Sequence, residues 1–462
     1  HVEKIAVIGT GYVGLVAGTC LADFGGEVIC VDNNATKIQD LKRGIVPIYE
    51  LGLDDLIERN TYYKRLAFTT DIKKAVQESE VIFIAVGTPP ADDGSADLRY
   101  VNQVAKDIAI YMNEYKVIVD KSTVPIGTGQ KVKKVINGIL NERGENFDFD
   151  VVSNPEFLRE GSAIYDFTHP DRVVLGVESD KAENIMKNVY RVLYLNETPF
   201  VITNIETAEM TKYASNAFLA MKITYINELA NLCEKIGADV HHVAKAMGMD
   251  GRIGPKFLHP GPGYGGSCFP KDTKALANIA KQYGEEISLI ETTIEANERQ
   301  KLRMVKKIEQ AFHEEALSEI AATTDKGMEE HSSHILRDKI LAILGITFKP
   351  KTDDMREAPS LVILNELAKE GAKLRIFDPE GEKEGKWRLE NIKESITFCC
   401  DEYEAVKGAD GVVILTEWHQ FRNLDFDRIK SSMKDRYFFD FRNIYERKVI
   451  EQKGFKYFCV GR

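Results

Sequence analysis

The chain has 462 residues, 44% hydrophobic and 29% charged, an ordinary globular balance that excludes a disordered or collagen-like polymer and suggests about three domains. Lys plus Arg number 61 against 72 Asp plus Glu, a net charge of −11, which argues against a general nucleic-acid or membrane-surface binder. No apolar run reaches the ~18 residues of a membrane-spanning helix, and no basic, apolar and small-residue leader precedes the first strand-like run.

Residues 1–204 read as a doubly wound α/β domain. Nearly continuous apolar runs at 4–8, 27–31, 81–86, 117–120 and 150–153 alternate with helical stretches, as parallel strands covered on both faces do. The first run leads into Gly9-Thr10-Gly11-Tyr12-Val13-Gly14 and then an apolar helical pattern. The glycines permit a tight turn and close approach of a pyrophosphate to a helix N-terminus. Asp32 ends the next strand, where its carboxylate accepts hydrogen bonds from ribose hydroxyls and repels a 2′-phosphate. NAD is therefore expected rather than NADP, with Lys37 the nearest cation that softens this preference. Gly87-Thr88-Pro89 and Ser122-Thr123-Val124-Pro125 follow two further strands and border the cofactor, with Thr88 and Thr123 supplying hydroxyls. Asn154-Pro155-Glu156-Phe157-Leu158-Arg159-Glu160-Gly161 follows the strand at 150–153. Its carboxylates either activate water or serve as helix-start acids.

Residues 205–312 read as helical. From 206 to 236 there is no Gly or Pro, which predicts a helix about 46 Å long ending at Gly237. Such a helix suits a spine between domains, with room for a dimer contact. Lys212 and Asn216 share one face of it and are able to donate to a developing oxyanion. Further helices are expected at 241–247, 273–282 and 288–312. Between the first two of these lies Gly263-Tyr264-Gly265-Gly266-Ser267-Cys268-Phe269-Pro270-Lys271-Asp272, whose glycines offer free amides to a phosphate or sugar. Cys268 precedes a helix, a position that favours a nucleophilic thiol.

Seven cysteines, an odd number without a CxxC pair, indicate neither a disulfide framework nor a zinc site. A reducing, cytoplasmic compartment is expected. The six other than Cys268 are predicted to be small core residues. Residues 313–338 are polar and read as an exposed linker or insertion, with His331 and His334 solvated rather than metal-bound. No metal is expected. Residues 339–462 return to α/β and echo the start of the chain: Ile340 to Gly345 resembles Ile5 to Gly9, and Leu374 to Asp378 resembles Val28 to Asp32. Two Rossmann-like halves are expected, the second without the full glycine pattern and so binding a different nucleotide, or none.

Together IAVIGTGYVGLV, VGTP, STVP, NPEFLREG, the Lys212–Asn216 pair, GRIGPKFLHPGPGYGGSCFPKD, FKPKTDDMRE and FDFRN resemble the UDP-glucose/GDP-mannose dehydrogenase family over nearly the whole chain. The 313–338 segment departs from the family by its length and polarity. The resemblance implies a four-electron, NAD-dependent oxidation of a nucleotide sugar at C6, with UDP-glucose favoured by residues 252–272. Cys268 is then the covalent nucleophile, Lys212 and Asn216 oxyanion donors, Glu156 or Asp272 the aid to water, and Thr123 a proton or water contact. Glu160, Lys271 and Arg356 join the cofactor residues. Phe157, Leu158, Arg159, Phe257, Leu258, His259, Pro260, Gly261, Gly265, Phe348, Lys349 and Arg442 match substrate positions. Arg252 is expected to reach a neighbouring subunit's substrate in a homodimer or larger assembly. A two-electron hydroxyacid dehydrogenase, a GDP-mannose or UDP-N-acetyl-sugar enzyme and an NAD-binding sensor are the competing readings.

Overall fold

The computed structural model describes residues 2–321 and 335–462. His331 and His334 lie outside the described residues. By internal packing the chain forms two compact units: residues 1–215 with 274–286, and residues 216–273 with 287–462.

The first unit is built on an 8-stranded sheet. In chain order its strands are β1 (Lys4–Ile8), β2 (Glu27–Val31), β3 (Leu66–Thr69), β4 (Val81–Ile84), β5 (Lys116–Asp120), β6 (Phe149–Ser153), β7 (Val173–Gly176) and β8 (Phe200–Thr203). They lie in the order β3-β2-β1-β4-β5-β6-β7-β8. Pairing is parallel except where Ser153 meets Gly176 between β6 and β7. Both faces are covered. Along β1, Ile5 and Val7 enter one apolar cluster and Ala6 and Ile8 another, which is why the strand reads as an unbroken hydrophobic run.

The second unit repeats the plan with β9 (Ile340–Leu344), β10 (Lys373–Phe377), β11 (Ile396–Phe398), β12 (Gly411–Ile414), β13 (Tyr437–Asp440) and β14 (Lys456–Phe458). Their order is β11-β10-β9-β12-β13-β14, all parallel. Leu341 and Ile343 face one cluster, Ala342 and Leu344 the other. The two halves expected from the sequence echo are thus present.

The helix Ile205–Ile236 closes on Gly237, whose φ of 78° is the left-handed C-terminal conformation that glycine adopts without strain. The expected helix at 288–312 runs on to Ala321, into the stretch expected to be linker. Glu315 explains the extension, since it takes the Tyr437 hydroxyl and pairs with Lys456 at 3.2 Å, tying the added turn to the second sheet. Cys20, Cys30, Cys233, Cys399 and Cys459 are buried as expected, but Cys400 is exposed. It lies just past the end of β11, an edge strand of only three residues, with its amide bonded to Glu404 at 2.7 Å.

Candidate active site

The first unit carries the dinucleotide turn. Gly9 has a φ of 111°, and its amide donates to Val31 O at 2.8 Å. A Cβ there would stand 2.5 Å from Ala85 O, and one at Gly14 would stand 2.0 Å from Gly9 O. Both positions are sterically reserved for glycine. Gly11, by contrast, would meet nothing within 4 Å. The turn is therefore packed beneath and open above, and the helix Tyr12–Asp23 starts at it. Asp32 ends β2 beside it, accepting from Thr10 Oγ1 at 2.6 Å, Thr10 N at 3.2 Å and Asn34 N at 2.9 Å, with Lys37 Nζ at 3.8 Å. Burial pushes the Asp32 carboxyl up, but these hydrogen bonds and the Lys37 charge outweigh it and hold the group below its ordinary value. An ionised carboxylate beside an open glycine turn at a helix N-terminus fits an NAD-type dinucleotide.

The two hydroxyl-bearing loops are tied together. Thr88 Oγ1 donates to Thr123 O at 2.8 Å, and Ser122 Oγ donates to Val86 O at 2.8 Å. The Asn154–Gly161 stretch is anchored at both ends by residues that motif reading missed. At its far end, the buried Glu50 accepts from Tyr12 Oη at 2.8 Å, Gly161 N at 2.9 Å and Ala163 N at 3.0 Å. Burial and this carboxylate together push the Tyr12 phenol up. At its near end, Asn154 Oδ1 accepts from Lys121 Nζ at 3.0 Å and Tyr190 Oη at 2.5 Å. Lys121 Nζ also stands 2.9 Å from Glu156 Oε2. Glu156 is buried, with Oε1 accepting the amide of Phe157 at 2.9 Å and its main-chain carbonyl accepting Lys212 Nζ. The Phe157 ring carries Arg172 at 3.6 Å and Lys212 at 5.3 Å from its centroid. Leu158 packs against the core, Arg159 is exposed and paired with Asp166 at 2.8 Å, and Glu160 is half-buried.

The second unit carries the thiol loop. Cys268 is half-buried at the start of the helix Phe269–Gln282, with Ser267 Oγ 3.6 Å from its sulfur. It is not sealed in hydrophobic packing. One turn on, Asp272 Oδ2 accepts Asn216 Nδ2 at 2.7 Å. The glycine run before the thiol is clamped. Asn297 brackets Tyr264 with two bonds of 2.8 and 3.0 Å, and Gly266 N donates to Arg356 O at 2.7 Å. A Cβ at Gly265 would come within 2.5 Å of Glu357 O, and one at Gly266 within 2.7 Å of the Phe348 ring. Phe257 and Glu357 hold φ values of 62° and 53°, left-handed conformations that side chains rarely adopt and that packing must enforce.

Of the predicted substrate positions, Phe257 to Gly261, Gly265, Phe348, Lys349 and Arg442 lie in this unit, whereas Phe157, Leu158 and Arg159 lie in the first. Gly261 N donates to Asn227 Oδ1 at 2.9 Å and Gly261 O accepts Gln300 Nε2 at 2.9 Å. His259 contacts Arg442 O at 2.8 Å, and Arg442 donates to Leu415 O at 2.7 Å and Phe348 O at 3.3 Å. Lys349 Nζ lies 5.4 Å from the Phe348 ring centroid. Leu258 and Pro260 are buried. Arg252 stands apart, 90% exposed at its side chain and paired with Asp250 at 2.7 Å. Arg356 is half-exposed and paired with Asp354 at 2.7 Å, and Lys271 is half-buried. Among the described residues no three His, Cys, Asp or Glu side chains are placed to hold a metal ion. No helix among them is long and apolar enough to cross a membrane.

An open glycine turn with an ionised carboxylate beside it marks the first unit as that of a dinucleotide-dependent dehydrogenase, and the second unit carries a clamped, half-buried thiol. The sequence assigns it further. Residues 3–194 match the NAD binding domain of the UDP-glucose/GDP-mannose dehydrogenase family, residues 206–299 its central domain and residues 342–447 its UDP binding domain. The chain belongs to that family. It is 49% identical over 462 residues to a UDP-glucose 6-dehydrogenase of Rhizobium meliloti, covering 99% of both chains. It is 44% identical to the UDP-glucose 6-dehydrogenase TuaD of Bacillus subtilis, covering 100% of this chain and 93% of that one. In three dimensions it resembles a UDP-glucose dehydrogenase from Pyrobaculum islandicum, with a TM-score of 0.84 and 34% identity over 97% of this chain and 96% of that one.

Proposed function

We propose that the protein oxidises the C6 hydroxyl of UDP-glucose to a carboxylate, reducing two NAD per sugar, by covalent catalysis on Cys268. The half-buried thiol at the end of a rigid glycine loop carries this reading, together with relatives that bear the UDP-glucose 6-dehydrogenase name. NAD, held by the Gly9–Gly14 turn and Asp32, supplies the hydride acceptor. Thr88, Thr123, Glu160, Lys271 and Arg356 complete its contacts, and Lys37 adjusts the charge at the ribose.

The thiol solves a chemical problem. An aldehyde surrenders hydride poorly until a nucleophile has added to it. Addition of the Cys268 sulfur to the C6 aldehyde gives a thiohemiacetal whose oxidation repeats the first step, leaving a thioester. Lys212 and Asn216 donate to the oxyanion of each tetrahedral species. Water then attacks the thioester carbon, the C–S bond breaks, and Glu156 or Asp272 takes the water's proton. The bonding of Asp272 to the Asn216 amide supports a role for it in orienting that donor. The loop of Phe257, Leu258, His259, Pro260 and Gly261, with Gly265, Phe348, Lys349 and Arg442, holds uridine and diphosphate. Phe157, Leu158 and Arg159 flank the sugar.

The working form is a homodimer or larger assembly. Phe218, Tyr225 and Leu232 recur at seven-residue spacing on the long helix, each more than half exposed at 56%, 52% and 54%, an apolar stripe suited to a second copy. Arg252, extended into solvent, reaches the neighbour's substrate in such an assembly. The free thiols suit a reducing, cytoplasmic compartment, and the product suits polysaccharide synthesis.

The decisive experiment is Cys268→Ala with NAD and a panel of nucleotide sugars. NAD affinity stays within about twofold of the parent while net uronate formation falls by more than ~10³-fold. Unchanged turnover eliminates the thioester route. One NADH per sugar in the parent enzyme points to a two-electron dehydrogenase, and a preference for GDP-mannose or a UDP-N-acetyl sugar reassigns the substrate.

A further inference from the structure

Lys121 is a lysine where an apolar residue would be expected, directly after β5. Its side chain is 4% exposed. The ammonium lies 5.7 Å from the ring centroids of both Phe167 and Tyr190. It donates to Asn154 Oδ1 at 3.0 Å and Tyr190 Oη at 3.2 Å, and faces Glu156 Oε2 at 2.9 Å. Among the described residues this oxygen, itself sealed from solvent, has no other partner. The Glu156 side chain retains 11% exposure, so what is accessible lies on its other atoms. A buried ammonium is costly unless its counter-charge is fixed. Burial pushes the Lys121 ammonium down, and the Glu156 charge with the Tyr190 phenol more than restores it. The pair is thus a locked unit, and the carbonyl of the same Glu156 receives Lys212.

We propose that Lys121 is a positioning residue for thioester hydrolysis: it pins one oxygen of Glu156, leaves Oε1 to take the proton of the attacking water, and through the Glu156 main chain orders Lys212. This rests on the reading of Glu156 as the base. The step balances: the water oxygen bonds to C6, the C–S bond breaks to give the Cys268 thiolate, and the proton passes to Glu156. It also separates the two carboxylates left as alternatives, because Asp272 is bonded to the Asn216 side chain whereas Glu156 faces a buried cation.

The test uses the enzyme and four variants, Lys121→Met, Lys121→Arg, Glu156→Gln and Lys121→Met combined with Glu156→Gln, with steady-state kinetics over pH and mass spectrometry of acid-quenched protein. In K121M the expected outcome is a fall in kcat of ~30-fold or more with both KM values within threefold. The acid limb of the kcat profile moves up by about one pH unit, because a buried carboxylate without its cation holds its proton more firmly. The Cys268 thioester accumulates. Lys121→Arg keeps the charge and leaves the limb in place. A K121M profile superimposable on the parent's overturns the proposal. Should K121M fail to fold, the double variant replaces both charges together and restores neutrality. Its kcat within threefold of E156Q supports the proposal, and a further tenfold loss overturns it, since Lys121 would then act elsewhere. An E156Q enzyme of parental rate that accumulates no thioester removes the reading of Glu156 itself; impaired E156Q with an unmoved K121M removes the role of Lys121 alone.

Discussion

Asp120→Asn should flatten the pH dependence of the first unit's stability. Asp120 ends β5 fully buried, and neither carboxylate oxygen takes a hydrogen bond from any described residue. Burial, reinforced by the charge of Glu209, pushes its pKa from 3.8 up to about 7. Glu209 is likewise raised to about 7 by burial, although the amides of Gly127 and Gly129 pull the other way at 3.0 Å each. Both groups hold their proton in the fold to a higher pH than in the unfolded chain. Their contribution is therefore complete below about pH 4 and is lost as the pH rises towards 7. A climb from 3.8 to about 7 at roughly 1.4 kcal/mol per pH unit amounts to about 4 kcal/mol for Asp120 as an upper figure. Hydrogen exchange in peptides spanning residues 116–143, followed from pH 5 to 8 after correction for intrinsic rates, reads this unit without interference from the second. The parent should lose protection up to about pH 7 and level off above it, and D120N should lose about half as much. A parent and variant with parallel pH slopes would refute the assignment of the proton to Asp120.

Two further substitutions test the cofactor side. Asp32→Asn keeps an acceptor for Thr10 but removes the charge, so the KM for NAD should rise about tenfold and discrimination against NADP should narrow; unchanged selectivity in paired NAD and NADP assays counts against the ribose role. Glu50→Ala strands the amides of Gly161 and Ala163 and leaves the Tyr12 hydroxyl only its longer bond to Arg159 O at 3.2 Å. At about 1–3 kcal/mol per unsatisfied buried group it should lower the thermal midpoint and loosen the Asn154–Gly161 stretch, while a midpoint within a degree of the parent's contradicts the anchoring.

How much of this could be read from the sequence follows the range of the interactions. β1, β2 and the glycine turn are announced by contiguous residues, because the turn needs glycine for local steric reasons and the strands bury both faces. The thiol loop is legible for the same reason, its glycines and Cys268 being adjacent. The strands β3, β7 and β8 are four residues each and lie at or next to an edge of the sheet, whereas β4, equally short, runs on in sequence into the apolar Ala85 and Val86. Glu50, Lys121 and Asn297 lie far in sequence from what they hold, 111 residues in the bond from Glu50 to Gly161. Nothing in the sequence around each of them points to its distant partner. Only Lys121 leaves a trace, as a cation interposed between a buried strand and a hydroxyl loop. The helix end at Ala321 escaped detection because its stabilising contacts come from β13 and β14 rather than from its own composition.

The two Rossmann-like sheets diverge at one pair of equivalent carboxylates, and the divergence accounts for where the thiol is held. Gly345 follows β9 as Gly9 follows β1, with φ values of 88° and 111° and amides bonded to Phe377 O at 2.9 Å and Val31 O at 2.8 Å. Asp378 then corresponds to Asp32. Asp32 remains partly accessible beside an open turn. Asp378 is buried and saturated: it accepts from the amides of Ile346, Thr347, Glu380 and Gly381, the Thr347 hydroxyl and the Trp418 indole. A Cβ at Gly345 would fall 2.4 Å from Thr416, much as one at Gly9 would fall 2.5 Å from Ala85 O, so the turn is packed beneath in both halves and the difference lies in the carboxylate. No capacity is left for a ribose. After Gly345 the chain does not enter a helix until Pro359. The intervening loop carries Phe348 and Lys349, and its Arg356 carbonyl and Phe348 ring clamp Gly266 just ahead of Cys268. The turn that opens onto a helix in the first half has in this half become the rigid support of the thiol loop. The same topology thus yields a dinucleotide site where the carboxylate is left free to accept, and a thiol platform where it is consumed internally.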